Sequence, residues 1–245
     1  MAEAGVDCLL LTSLPNIFYL TGFTGTAGVL LVTEKSSTLY TDGRYGQQAA
    51  EEVQQARVAV ARGEAASAAV GRARRYRRLG FEASASYAFF RLLADKAGGR
   101  RLEPLRQVVE RLRMIKDQEE VERIRRAVEL NARVFRDVLP LLRPGVSERD
   151  VAAELEYRMR RYGAEKAAFD SIVAAGPRSA MPHARAGARP AGRNEFLLLD
   201  HGAILAHYAS DMTRTVYLGA ADRRARQLYG CLLYTSPSPR DRTRS

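Results

Sequence analysis

The sequence predicts an α/β domain followed by an α+β domain. Three observations carry this. The first hundred residues alternate short apolar runs with helical patterns. Near residue 114 the pattern changes to two long amphipathic segments and then strands. No apolar run reaches the roughly 18 residues needed to cross a bilayer.

In the first half, residues 6–12 (Val6-Asp-Cys-Leu-Leu-Leu-Thr12) are an apolar run fit for a buried strand. Ser13 is placed to cap a helical turn through Leu20, with Pro15 in its first turn. Gly22, Gly25 and Gly28 punctuate a loop. Residues 29–33 and 37–41 read as a hairpin turning near 34–36, and Asp42-Gly-Arg-Tyr opens a polar helix. A strand at 58–61, a long Ala/Arg helix over about 63–78, a strand at 79–82 and a helix over 87–97 follow. Gly98-Gly99 ends that helix. The alternation implies a mostly parallel or mixed sheet.

In the second half, Asp117-Gln-Glu-Glu120 has the form of a capping box. It opens a long helix with Val121, Ile124, Val128, Asn131, Phe135 and Val138 spaced as one face. Pro144-Gly145 breaks it. Ser147 caps a second helix that carries Val151, Leu155 and Met159 and ends at Gly163. Residues 169–174, 196–200 and 208–218 read as strands. Residues 222–229 start a helix expected to stop at Gly230. The prolines and Ser/Thr/Arg run beyond it cannot continue a helix. Residues 231–245 are expected to be a discordant tail, foreign to the gene or disordered.

The 245 residues are 46% hydrophobic and 27% charged, as in an ordinary globular chain. Two cysteines, Cys8 and Cys231, lie far apart without metal-type spacing. They suggest a reducing, cytoplasmic setting with Cys8 buried in a strand. The start lacks a basic segment and a long apolar core, so no signal peptide is read there. Net charge is +11, and only Lys35, Lys96, Lys116 and Lys166 are lysines. The arginines crowd in 72–78. Apart from Tyr76 no aromatic residue interleaves with them, so a solvated helix face is preferred to a nucleic-acid surface.

Candidate chemistry gathers at Asp200 and Asp211. They stand in Phe196-Leu-Leu-Leu-Asp200-His-Gly202 and Tyr208-Ala-Ser-Asp211-Met-Thr-Arg-Thr215. Each lies in or at the end of a strand-like run, where a carboxylate is costly unless compensated. Two of them converging on a hairpin make part of an oxygen-rich metal site. The plainer reading, since turn and ion-pair carboxylates are far commoner, is that Asp200 caps a turn before Gly202 while Asp211 pairs with Arg214. All three histidines, His183, His201 and His207, fall in the same region.

These segments resemble the pita-bread metallopeptidases of family M24, Xaa-Pro aminopeptidases and Xaa-Pro dipeptidases above all. The resemblance rests on Ala174-Ala-Gly-Pro-Arg-Ser179-Ala-Met-Pro-His183, Leu199-Asp200-His-Gly202 and the segment around Asp211. Leu112-Arg-Met-Ile-Lys116 and the residues after it are similar to the entry of the family's catalytic domain. Ser13-Leu-Pro-Asn-Ile-Phe-Tyr-Leu-Thr-Gly-Phe-Thr-Gly25 and Tyr40-Thr-Asp42-Gly-Arg44-Tyr resemble its creatinase-like N-terminal domain. The likeness covers about residues 2–230. It implies a creatinase-like domain at 1–112, the N-terminal half of a pita-bread domain at 113–230, and a fold that is incomplete.

The resemblance further implies a metal-dependent exopeptidase cutting bonds that precede proline. Asp200 matches the first metal-binding carboxylate, and Asp211 the second, which bridges two divalent ions, Mn²⁺ or Co²⁺. His183 matches the catalytic, substrate-binding histidine, which is not a metal ligand. Phe169 resembles a substrate-pocket residue. His201 and His207 fall where the family varies and read as residues of the rim or behind the ligands at best, and more readily as solvated histidines. Thr213 and Arg214 read as structural. The family also expects a metal-binding histidine and two glutamates that this chain does not present, and Met1 to Gly5 looks like the end of a longer helix. The chain as written is therefore expected to be an inactive fragment. Proline-containing peptides are the expected partners, with homo-oligomerisation when complete and neither membrane nor nucleic acid. The alternatives on this scaffold are a non-catalytic binding protein and a metal-free creatine-type hydrolase. Keeping both aspartates counts against each.

Overall fold

The computed structural model describes residues 4–235. They divide into two units, Met1–Ile115 and Lys116–Ser245, where the sequence reading placed a boundary between 112 and 113.

The first unit comprises β1 (Cys8–Leu11), α1 (Leu14–Thr21), β2 (Val29–Thr33), β3 (Ser37–Asp42), α2 (Gly46–Glu52), β4 (Arg57–Ala61), α3 (Ala65–Ala73), β5 (Arg78–Glu82), α4 (Tyr87–Ala97), β6 (Arg101–Leu105) and α5 (Val108–Met114). Its single sheet has the order β4-β3-β2-β1-β5-β6. β2 pairs antiparallel with β1 and β3, and the other pairs are parallel. All four residues of β1 are buried. Cys8 and Leu10 pack with Val70, Phe89 and Leu93, whereas Leu9 and Leu11 pack with Ile17, Phe23 and Val109. A strand covered on both faces reads as a continuous apolar run, which is how β1 announces itself in the sequence.

Three details depart from the sequence reading. Ser13 stands before α1 but makes no side-chain cap. The nearly buried Glu82 accepts from the backbone N–H groups of Thr12 and Ser13 instead, at 2.6 and 2.8 Å. The helix expected over 63–78 is only α3, and β6 and α5 were not anticipated. β6 contains Pro104, and Pro in a strand argues against a central position. Here β6 is an edge strand.

The second unit comprises α6 (Gln118–Val138), α7 (Glu148–Arg161), β7 (Lys166–Ala167), β8 (Ile172–Ala175), β9 (Phe196–His201), β10 (Ala203–Leu205), β11 (Tyr208–Ala209), β12 (Met212–Tyr217) and α8 (Arg223–Thr235). The capping box is formed: Asp117 Oδ1 accepts from Glu120 N and Glu120 Oε2 from Asp117 N. Ser147 Oγ likewise accepts from Asp150 N at 3.1 Å. Leu130, Val134 and Val138 of α6 and Val151, Leu155 and Met159 of α7 close over Val173, Leu197 and Leu199 of the sheet. Val121 and Val128, expected on the apolar face, are exposed. The buried stripe of α6 runs instead through Ala127, Leu130, Asn131, Val134 and Val138.

Two three-stranded sheets replace the expected simple strands: β12-β9-β8 and β11-β10-β7. The run at 208–218 is two strands, β11 and β12, belonging to different sheets. The hairpin over 196–217 therefore changes sheet on both arms, at Gly202 on one and at Ser210 and Asp211 on the other. A Cβ on Gly202 would lie 2.2 Å from the Ser210 carbonyl oxygen, so only glycine fits this crossing. The tip, Ala206 and His207, has φ of 49° and 66°, the left-handed values of a type I′ turn. The C-terminal helix does not stop at Gly230 but continues to Thr235. One interior glycine costs about 1 kcal/mol against alanine, too little to end a helix by itself. The prolines at 237 and 239 lie outside the described residues.

Candidate active site

Asp200 and Asp211 come from the two arms of one hairpin. Asp200 is opposite Thr213 in the β9–β12 register, and Asp211 directly precedes β12. The Thr213 hydroxyl donates to Asp200 Oδ1 at 2.9 Å and fixes that carboxylate. The proposed Asp211–Arg214 pair is not made; Arg214 Nη1 donates to the carbonyl of Thr213 at 2.8 Å. Among the described residues, neither aspartate has an Arg, Lys or His partner within ion-pair distance.

Both aspartates line a cavity of about 890 Å³ together with Phe169, Asp170 and His183. Arg149 and Glu156 of α7 and Arg185 complete its charged lining. Every site residue read from the sequence thus opens on one space, although the residues come from four separate segments.

The other two histidines lie elsewhere. His201 is not a solvated rim residue: it is fully buried. Its Nδ1 is 2.7 Å from Asn131 Oδ1, and Asn131 Nδ2 donates to the His201 carbonyl at 3.0 Å. Its ring stacks on Phe135 with centroids 6.3 Å apart. Burial pushes its pKa down to about 4, so the ring is neutral. In β9 the side chains of Asp200 and His201 point to opposite faces, one to the cavity and one to α6. His207 sits at the hairpin tip and faces Glu165, with Nδ1 3.4 Å from Oε2.

Asp200 and Asp211 suit a hard divalent cation in kind, being oxygen donors without a cationic partner on a shared cavity. They do not suit it in number. Among the described residues no three His, Cys, Asp or Glu side chains gather in a way that could hold a metal ion. The described residues therefore offer two candidate donors, fewer than a metal site needs.

The sequence reading missed Glu148, a fully buried carboxylate at the start of α7. Its only signal was its place directly after the capping Ser147, which reads as an ordinary first-turn acid.

Residues 1–115 match the creatinase/prolidase N-terminal domain, and residues 122–234 match metallopeptidase family M24. An Xaa-Pro dipeptidase of Pyrococcus horikoshii is 32% identical over 234 residues, covering 95% of this chain and 66% of that protein. The solved Xaa-Pro dipeptidase from Bacillus anthracis superposes with a TM-score of 0.90 at 34% identity, over 95% of this chain and 66% of that one. The X-Pro aminopeptidase of Thermotoga maritima superposes with a TM-score of 0.86 at 31% identity, over 94% and 68%. The chain spans about two thirds of the length of these relatives. With a creatinase-type sheet ahead of a pita-bread segment, and sequence likeness running through both, the chain belongs to metallopeptidase family M24.

Proposed function

We propose that the protein containing these residues is a metal-dependent exopeptidase that cuts bonds preceding proline, as an Xaa-Pro aminopeptidase or dipeptidase. The observation that carries this is the gathering of Asp200, Asp211, His183 and Phe169 on one cavity. Relatives named for Xaa-Pro dipeptidase and X-Pro aminopeptidase activity support it.

In this reading Asp200 and Asp211 hold divalent ions, Mn²⁺ or Co²⁺, two in the complete site. Such ions polarise a scissile carbonyl and activate water. Thr213 keeps the Asp200 carboxylate turned to the cavity. His183 donates to or accepts from the substrate next to the carbonyl and moves a proton there. Phe169 gives the apolar wall against which a proline ring packs. A bond before proline has no N–H, so recognition falls to such groups rather than to backbone pairing. With two donors of the set, the 245-residue chain alone hydrolyses nothing. We place the protein in the cytoplasm, with two cysteines in 245 residues as support. We expect a homo-oligomer when the site is complete. Proline-containing peptides, not nucleic acids, are its partners. Among the described residues no helix is long and apolar enough to cross a membrane.

The test incubates the chain with Mn²⁺ or Co²⁺ and an Xaa-Pro dipeptide or tripeptide, and records melting curves with and without metal. No product is expected. In the complete protein, metal should raise the melting temperature of the wild type but not of Asp200→Asn or Asp211→Asn. Metal-dependent release of the N-terminal residue would overturn the inactivity of the chain. A melting curve of the complete protein indifferent to metal would favour a non-catalytic binding protein.

A further inference from the structure

His183 lies on an arch of chain, not on a regular element. Its neighbours Pro182, Ala184, Arg185 and Ala186 line both the aspartate cavity and a second cavity of about 660 Å³. The segment has no helix or strand of its own and, apart from the buried Ala184, little of it is packed, so its position depends on how its ends are tied.

Those ends converge on Glu148. Its Oε1 accepts from Ala175 N at 2.9 Å and from Arg178 Nε at 3.0 Å. Its Oε2 accepts from Gly187 N at 3.0 Å. Ala175 and Arg178 lie before His183, and Gly187 lies after it, so one carboxylate grips both feet of the arch. Arg178 also spans the arch, as its Nη2 donates to the Arg185 carbonyl at 2.6 Å. Backbone bonds extend the grip: Arg149 N donates to Gly187 O at 2.9 Å, and Glu148 N to Arg189 O at 3.1 Å. Glu148 is fully buried, whereas the Arg178 side chain keeps a third of its surface exposed. A carboxylate taken wholly out of water is kept only where several donors meet it.

We propose that Glu148, through Arg178, is a positioning residue that sets the arch so that His183 faces the Asp200–Asp211 cavity. This rests on reading His183 as the substrate-facing group. The role requires two acceptor oxygens. A glutamine has one, so Glu148→Gln releases one foot while keeping shape and volume. Arg178→Lys keeps the charge but loses the planar fork that reaches both Glu148 and the Arg185 carbonyl.

The test uses the whole chain with ¹³C-labelled histidine, whose three ring signals report His183, His201 and His207 separately. In Glu148→Gln the His183 signal should shift or split while the His201 signal stays. Trypsin should cut after Arg185 about tenfold faster, the ratio that loss of one charge-assisted hydrogen bond corresponds to. Arg178→Lys should move the His183 signal in the same way, and it stands in where Glu148→Gln does not fold. An unchanged His183 signal and unchanged cleavage in a folded variant would overturn the proposal. So would all three signals moving together, since that is general loosening. Adding paramagnetic Mn²⁺ separates this from the peptidase reading. No broadening of His183 in the wild type, with the Glu148→Gln shift intact, would mean that the two aspartates alone hold no Mn²⁺ and would leave the arch standing.

Discussion

His201 and Asp200 are neighbours with opposite fates, and alternation along β9 is the reason. The His201 ring takes the core side, where Asn131 of α6 meets it. Asn131→Ala would leave a buried ring nitrogen and a buried carbonyl each short of a partner, at a cost of about 1–3 kcal/mol per group. Urea unfolding should show the loss as a lower midpoint with unchanged slope. Gly202 is the other single residue on which the hairpin turns. Gly202→Ala drives a methyl into the Ser210 carbonyl oxygen. The expected cost is about 1–3 kcal/mol, by overpacking. Because Ser210 is next to Asp211, the variant should also lose any metal-induced rise in melting temperature. Cys8 offers a pH test. Burial holds its thiol up, with a pKa of about 12, against an ordinary 9. Between those values the unfolded chain gives up the thiol proton and the folded chain keeps it. Stability is therefore unaffected by Cys8 below pH 9 and falls as pH rises above it. The loss is about 1.4 kcal/mol per pH unit up to 12. A Cys8→Ala variant should lack that slope. In the native chain at pH 8 a thiol reagent should modify the exposed Cys231 quickly and Cys8 only on unfolding.

At the scale of elements, the starts of helices with side-chain caps were legible together with their cause, whereas α1 was foreseen without the contact that holds its start. Asp117-Gln-Glu-Glu120 and Ser147 fixed the starts of α6 and α7 because the capping atoms sit within three residues of one another. α1 lacks such a local cap, and its start is held by Glu82, about seventy residues away. Pattern reading cannot see a partner that distant. β10, and the division of the 208–218 run into β11 and β12, were missed for a similar reason. Two-residue and three-residue strands carry no period, and a left-handed turn at Ala206 and His207 lacks the Asn-Gly signature. The same gap hid Glu148, whose partners lie 27 to 39 residues away. Removing the carboxylate with Glu148→Ala strands Arg178 and two backbone N–H groups. The expected cost is about 3–5 kcal/mol, the usual penalty for breaking a buried ion pair from one side. Chemical denaturation at pH 7 measures it, and Glu148→Gln should lose less.

For the molecule as a whole, the order of motifs along the chain revealed two domains, and the sheet of the first could be foreseen as mixed. The residues proposed for the site could be named from the sequence, but not the shape they share. Asp200, Asp211, His183 and Phe169 were found from short motifs, whereas the arch that carries His183 and the two cavities beside it exist only in the fold. Net charge of +11 is the other whole-molecule property. It predicts adsorption to polyanions without selectivity. Binding to duplex DNA at low salt should therefore be indifferent to sequence and should fade as salt rises toward physiological strength. Retention of a tight, sequence-selective complex there would contradict that.

The hairpin that carries both aspartates also sets an order of assembly. Asp200 and Asp211 are joined by a short stretch whose pairing, Ile204 with Ala209 and Leu205 with Tyr208, closes on itself. Contacts so near in sequence cost little chain entropy to make and form early. The feet of the His183 arch must wait for Glu148 to find Ala175 and Gly187 across much longer loops. The carboxylate half of the proposed site is thus the chain's own local product, and the histidine half is delivered by the completed domain. Pulse-labelled amide exchange during refolding should protect Ala203 and Ser210 before Gly187.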